Sequence, residues 1–139
     1  MTLLGIDFGF KRIGVAVAET EVGIVTPRPS MSASGSLKTD AAEILKLAKR
    51  EEVTAIIIGL PIEESGEEGR MARICRTLGD HIAGNGTPVY LVDESMTSVQ
   101  ADDALRGDGL KASQRRKLRD GEAAALILER YLHEQATQA

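Results

Sequence analysis

The sequence predicts an α/β domain in which helices pack on a five-stranded mixed sheet. Two observations point to this class. Three short apolar or alternating segments follow one another closely between residues 2 and 30, which is typical of an antiparallel meander. Beyond residue 38, segments with helical spacing alternate with two apolar strands. That alternation is typical of parallel strands joined by crossover helices.

The first three strands differ in their patterns. Residues 2–7 form a continuous apolar run, as expected of a strand buried on both faces. Residues 13–19 alternate large and small side chains with the period of a strand. The third segment contains Pro27 and Pro29. Because proline has no N–H to donate to a neighbouring strand, this segment is predicted at an edge of the sheet.

The remaining elements alternate. Thr39 is a candidate cap for a first helix with apolar residues at helical spacing. A buried strand is predicted over 54–61, a helix over 71–82 ended by Gly84 and Gly86, and a fifth strand over 87–94. A short helix near 98–105 and a long one over 113–134 complete the chain. Strands one, four and five are predicted to be parallel, in a single domain over 1–135 with a polar tail over 136–139.

Composition narrows the functional classes. Of the 139 residues, 42% are hydrophobic and 27% charged, which fits one water-soluble domain. No apolar stretch is long enough to cross a bilayer. Cys75 is the lone cysteine, so an internal disulfide is excluded and a cysteine-based zinc site is not expected. We expect a cytoplasmic protein without a membrane partner, and the sequence leaves open whether it is a monomer or a homodimer.

The charge is unevenly distributed along the chain. The net charge is −4, yet the segment 106–119 carries six cationic residues and one acid. Such a run is commonly a solvated helix face. It can also be a track that binds phosphates of a nucleic acid.

Three acidic positions stand at the ends of apolar elements. Asp7 ends strand one, Asp93 and Glu94 end strand five, and Asp120 begins the apolar stripe of the last helix. Each alone has a structural explanation as a turn cap, an exposed strand end or an ion-pair partner. In open α/β sheets, however, sites gather at the carboxyl ends of parallel strands. Because successive strand residues point to opposite faces, only one of Asp93 and Glu94 can face such a site.

Acids gathered at one sheet edge would repel one another unless a cation lay between them. Oxygen ligands without neighbouring histidine or cysteine favour Mg²⁺ or Mn²⁺ over zinc. Carboxylate clusters of this kind support two-metal hydrolysis at phosphorus. Lys11 and Arg12, close to Asp7, are candidates to hold flanking phosphates. The cationic run leads directly into Asp120, so a phosphate track would end at the metal site.

Four motifs carry a family resemblance: "GIDFGFKRIGVAV", "IIIGLP" followed by "SGEEG", "VDESMTSVQA" and "RDGEAAALILERYL". In this order, over nearly the whole chain, they resemble the YqgF/RuvX family of pre-16S rRNA nucleases and Holliday junction resolvase-like proteins. The resemblance implies a ribonuclease H-like fold and a metal-dependent nuclease linked to maturation of the 5′ end of 16S rRNA. It carries over Asp7, Glu94 and Asp120 as the catalytic, metal-binding acids.

The expected partner is therefore nucleic acid: structured RNA, with branched or single-stranded DNA as further candidates. The residues expected to contact it are Lys11, Arg12, Arg115, Arg116, Lys117 and Arg119.

The sequence departs from the family pattern at three places. Phe10 stands where the family usually has threonine, and Ser95 replaces an arginine. The loop after "GLP" carries Glu63 and Glu64, whose charge could repel a nucleic acid. These departures put the substrate preference in question more than the chemistry, because all three acids remain.

Two other functions fit parts of the pattern. Actin-like ATPases also begin with a strand that runs into a "DFG"-like phosphate loop, but they need two such domains to enclose a nucleotide. A non-catalytic module that binds RNA or a ribosome-assembly partner would share the same fold, because a fold does not fix a function.

Overall fold

The computed structural model describes residues 1–63, 65–94 and 112–138, with side chains of the last segment described over 119–136. Its strands are β1 (Thr2–Phe8), β2 (Arg12–Glu19), β3 (Ile24–Ser32), β4 (Ala55–Leu60) and β5 (Val89–Asp93). Its helices are α1 (Leu37–Arg50), α2 (Arg70–Ala83) and α3 (Ala112–Gln138). The predicted short helix at 98–105, Ser95 and Glu64 lie outside the described residues.

The strands form one sheet in the order β3-β2-β1-β4-β5. β1 and β2 pair antiparallel, as do β2 and β3, whereas β4 pairs parallel to both β1 and β5. The predicted meander and parallel strands are thus confirmed, and the proline-containing β3 lies at an edge. Three strands of one direction therefore end at the same edge of the sheet, after Phe8, Leu60 and Asp93.

Helices cover the two faces of the sheet unequally. On one face, Leu4, Ile6 and Phe8 pack in a core with residues of α1 and α2. On the other face, Leu3 packs in a core with Ala124 and Leu128 of α3. The continuous apolar run of β1 is explained by this arrangement, since both of its faces are buried. By strand alternation, Asp7 belongs to the face that α3 covers.

The helix boundaries differ from the sequence prediction at two places. Ser36, not Thr39, caps α1: its side chain accepts a hydrogen bond from the Thr39 N–H, and the helix begins at Leu37. The helix α3 continues through Gln138, beyond residue 134, where the sequence predicted this helix to end.

Among the described residues, no helix combines the length and apolar character needed to cross a membrane.

Candidate functional site

Asp7 lies where β1, β2 and α3 meet. In the β1–β2 ladder it stands opposite Gly14. A Cβ atom at Gly14 would lie 2.1 Å from the backbone oxygen of Asp120. The backbone of α3 therefore rests directly on β2, at a position that no larger residue could occupy. This contact brings Asp120 of α3 to the end of β1.

Glu94 reaches the same place from β5. Its N–H donates to the backbone oxygen of Leu60 at 3.0 Å, so strand pairing continues one residue past β5. Val92 belongs to the core beneath α3, and Glu94, two residues further, lies on that same face. Gly59 leaves room for it, because a Cβ there would lie 2.6 Å from Glu94 Oε2.

Asp93 lies on the other face of the sheet. Its side chain is exposed. The pKa of Arg76 on α2 is raised mainly by the hydrogen bond to Glu68, with a small contribution from the charge of Asp93. The backbone oxygen of Asp93 accepts a hydrogen bond from Arg130 of α3. Of the two neighbouring acids, Glu94 is therefore the one that the structure places beside Asp7.

Asp7 and Glu94, both partly buried, form a carboxyl pair in which Glu94 donates a hydrogen bond to Asp7. The pKa of Asp7 is raised to about 6, mainly by burial and in part by the charge of Asp120, against the lowering effect of this hydrogen bond and of Arg119. Burial and the Asp7 charge raise the pKa of Glu94 to about 9. At neutral pH the pair thus holds about one proton, because two buried like charges disfavour full ionisation.

Asp120 is near this pair but already has a cationic partner. Arg12 Nε donates to Asp120 Oδ2 at 2.6 Å, and the Asp120 side chain is only 13% exposed. Among the residues that the structure describes, no three His, Cys, Asp or Glu side chains are grouped closely enough to hold a metal ion. The structure therefore brings Asp7 and Glu94 into contact and leaves Asp120 alongside, bound to Arg12.

The predicted phosphate-binding cations are partly described. Lys11 is exposed at the turn between β1 and β2, and Arg12 begins β2. Arg119 lies close enough to Asp7 to lower its pKa. The helix α3 includes Arg115, Arg116 and Lys117, but their side chains are outside the described set.

A groove beside Asp120 was not predicted from the sequence. Its volume is about 580 Å³, and its walls include Arg12, Arg28, Ser30 and Glu122. Arg28 Nε also donates to Glu51 at 3.1 Å. A signal for this groove does exist in the sequence: a lone arginine between two prolines on an edge strand. It could be interpreted only once β3 was known to lie against α3.

Cys75 is fully buried in the core under α1 and α2. Burial raises the pKa of its thiol to about 12, and the charges of Glu94 and Asp7 add to the effect. The thiol therefore stays protonated at neutral pH, and its reactivity is low.

Comparisons with known proteins agree with this geometry. The family described as "RuvX: Holliday junction resolvase" matches residues 1–134. The chain is 38% identical to a "Putative pre-16S rRNA nuclease" of Anaeromyxobacter dehalogenans (strain 2CP-1 / ATCC BAA-258), covering 98% of this chain and 99% of the relative. A protein of the same name from Endomicrobium trichonymphae is 37% identical, with 98% of each chain covered.

Solved structures show the same fold. RuvC of T. thermophilus in complex with a Holliday junction substrate superposes with a TM-score of 0.57 at 22% identity, covering 97% of this chain and 96% of that chain. The fowlpox virus Holliday junction resolvase gives a TM-score of 0.57 at 12% identity, covering 97% and 99%. The fold is therefore ribonuclease H-like, as the resemblance implied.

Proposed function

The chain belongs to the RuvX family of Holliday junction resolvases, and we propose that it is a metal-dependent nuclease that hydrolyses phosphodiester bonds. The observation that carries this proposal is the buried Asp7–Glu94 pair. Burying two carboxyl groups against each other costs free energy. A site that binds cations gives a reason for that cost, whereas a purely structural role does not.

The residues fit a hard divalent cation. Asp7, Glu94 and Asp120 would hold it, and all three offer oxygen ligands, which Mg²⁺ and Mn²⁺ prefer. Bound in a pair, such ions activate water and stabilise the leaving oxygen at phosphorus. For the acids to bind a cation, the proton of the Asp7–Glu94 pair must leave. Asp120 must also exchange Arg12 for the cation.

Arg12 then has a second task. Once Asp120 releases it, its guanidinium is free beside the site, where it can bind a substrate phosphate through two parallel hydrogen bonds. Lys11, at the adjacent turn, adds a second cation. Arg115, Arg116, Lys117 and Arg119 precede Asp120 along α3 and would hold the phosphates further from the cut.

The substrate that we propose is pre-16S rRNA, cut at its 5′ end. The names of the curated relatives support pre-16S rRNA as the substrate. Branched or single-stranded DNA is a further candidate, since a structural neighbour is described in complex with a Holliday junction. Both are cut through the same chemistry at phosphorus. We place this activity in the cytoplasm, with the protein acting as a monomer or a homodimer.

Cleavage of end-labelled nucleic acids tests the proposal. A structured RNA with a 5′ extension and a four-way DNA junction are each incubated with Mg²⁺, Mn²⁺ or EDTA. We expect metal-dependent cutting that Asp7→Asn and Glu94→Gln abolish. Asp93→Asn is the matched control and should cut at the wild-type rate, because its side chain lies on the opposite face of the sheet. Cutting by Asp7→Asn at the wild-type rate would show that Asp7 is no ligand.

One observation favours a second candidate, a non-catalytic nucleic-acid-binding module. The third acid, Asp120, is bound to Arg12, so the three acids do not form a metal group in the described residues. A module of this kind would bind the structured RNA in EDTA and would leave it uncut with every metal. That result would replace the nuclease proposal.

A further inference from the structure

Phe10 is an exposed aromatic residue at the turn next to the acid pair. Its side chain is 64% exposed, although large apolar side chains are normally buried in a chain of this size. It lies in the turn between β1 and β2, three residues after Asp7. Three residues span at most about 11 Å, so the ring is at the same sheet edge as the candidate active site.

Arg70 lies over one side of this ring. Its guanidinium carbon is 5.9 Å from the centroid of Phe10, which is within the range of a cation–π contact. Arg70 is the first residue of α2, so the contact between Phe10 and Arg70 joins the β1–β2 turn to α2. The positive charge of Arg70, with that of Lys11 next to Phe10 in the sequence, also suits a ligand that carries phosphates.

An apolar cavity of about 140 Å³ adjoins Phe10. Phe8, Leu37 and Ile74 are among the residues that line it. Asp40, a polar residue of the lining, accepts a hydrogen bond from the Ser34 N–H at 2.9 Å and so fixes the loop before α1. The surface around Phe10 therefore offers mainly flat or apolar contact.

We propose that Phe10 and Arg70 form a platform on which an unpaired nucleobase of the substrate stacks, within a few nucleotides of the cut. The inference rests on the proposed nuclease function and narrows its substrate to one with an unpaired nucleotide at that place. A base inside a duplex has both faces covered by its neighbours, so it is unavailable to the ring. The binding tolerates any base, since every base has a face that can stack.

A binding cycle tests the platform without relying on cleavage. The probe is the structured RNA with a single-stranded 5′ extension, in which one nucleotide at a time is replaced by an abasic nucleotide. Dissociation constants are measured by fluorescence anisotropy in EDTA. Removing one stacked base costs roughly 5- to 150-fold in affinity. We expect a loss of about ten-fold for the wild type at one or two abasic positions, and a smaller loss elsewhere.

The variant Phe10→Ala supplies the other side of the cycle. On intact RNA it should bind about ten-fold more weakly than the wild type, and abasic substitution should cause no additional loss. Ile24→Ala is the matched control: Ile24 is 58% exposed and lies at the opposite end of the sheet. It should bind like the wild type. If the abasic substitution still weakens RNA binding by Phe10→Ala about ten-fold, the platform is excluded.

A second pair of variants separates stacking from a simple anchoring of the turn. Phe10→Tyr keeps a ring and should keep the affinity, whereas Phe10→Leu keeps only apolar bulk and should lose it. Equal binding by these two variants would overturn the inference while leaving the nuclease proposal intact. Conversely, a wild type that cuts nothing but shows the Phe10-dependent cycle would end the nuclease proposal and retain the platform. A wild type that binds neither the RNA nor the four-way DNA junction overturns both.

Discussion

The two ends of the sheet treat acidic residues in opposite ways. At the end where β1 finishes, Asp7 and Glu94 are buried against each other and the pKa of each is raised. At the other end, Glu21 is exposed and accepts a hydrogen bond from the N-terminal ammonium group, which lowers its pKa. Glu19 there accepts from the Thr2 hydroxyl. Acids with access to water and a partner favour folding. Acids buried together oppose it, and this contrast locates the candidate site.

The largest expected effect on stability comes from the glycine that seats α3 at the acidic end. In Gly14→Ala the new methyl group would meet the Asp120 backbone oxygen, which cannot move without the helix. We expect the free energy of unfolding to fall by about 3 kcal/mol, measured by urea denaturation. Gly79→Ala is the control, since a Cβ atom at Gly79 would lie 3.4 Å from Val89, which is an ordinary van der Waals contact. It should leave stability unchanged or raise it by about 0.5–1 kcal/mol. Equal stability of the two variants would contradict the seating of α3.

A comparable effect, which depends on pH, is expected from removing one acid of the pair. The raised pKa of Glu94 means that the folded state holds a proton that the unfolded state releases. Metal-free stability should therefore be greatest below the ordinary carboxyl pKa and fall as the pH rises towards 9. Glu94→Gln should remove most of this pH dependence. The stability that the wild type loses by pH 9 is on the order of a few kcal/mol. Thermal unfolding between pH 5 and 9 in EDTA measures it. The same slope in wild type and variant would show that Glu94 is not the group that titrates.

Breaking the Arg12–Asp120 ion pair should strengthen metal binding but weaken RNA binding and stability. Arg12→Ala leaves Asp120 available, so we expect Mn²⁺ to bind several-fold more tightly in calorimetry. RNA binding should weaken. The slope of log affinity against log salt concentration should fall by about one, because one phosphate contact is lost. The free energy of unfolding should fall by about 1 kcal/mol. Arg28 lines the same groove but pairs with Glu51. The control variant Arg28→Ala should therefore leave the Mn²⁺ affinity unchanged. Weaker Mn²⁺ binding by Arg12→Ala would refute the exchange.

The smallest effect is expected at the opposite end of the sheet. Because the pKa of Glu21 is lowered, any stability that it contributes is present above its unfolded pKa and is lost as the pH falls. Glu21→Gln should therefore reduce stability slightly at neutral pH and not at all in strong acid, the reverse of Glu94→Gln. Thermal unfolding at pH 2–3 and at pH 7 distinguishes the two. A slope of the same sign for both variants would remove the contrast between the ends.

Most of the fold could be predicted because its signals are local. The apolar run of β1, the alternation in β2 and the prolines of β3 each specify an element and its place in the sheet. The cap of α1 was misplaced because Ser36 and Thr39 are both good cap residues, and the difference lies in which side chain reaches the N–H of the other.

The site was predictable only in part. Strand ends could be read from the sequence, so Asp7 and the Asp93–Glu94 pair could be singled out, but the choice of Glu94 relied on a family resemblance. The register that puts Glu94 on the α3 face depends on β5 pairing with β4. The bond from Arg12 to Asp120 joins residues 108 positions apart, and no local pattern encodes it.

The glycine seat under α3 has a mechanical consequence. A helix of 27 residues is about 40 Å long, and its contact with Gly14, at Asp120, directly follows its cationic turns. A slight tilt there would displace the backbone of Arg115 and Arg116 together with Asp120. Substitutions beneath the helix could thus change the width of nucleic acid that the protein accepts.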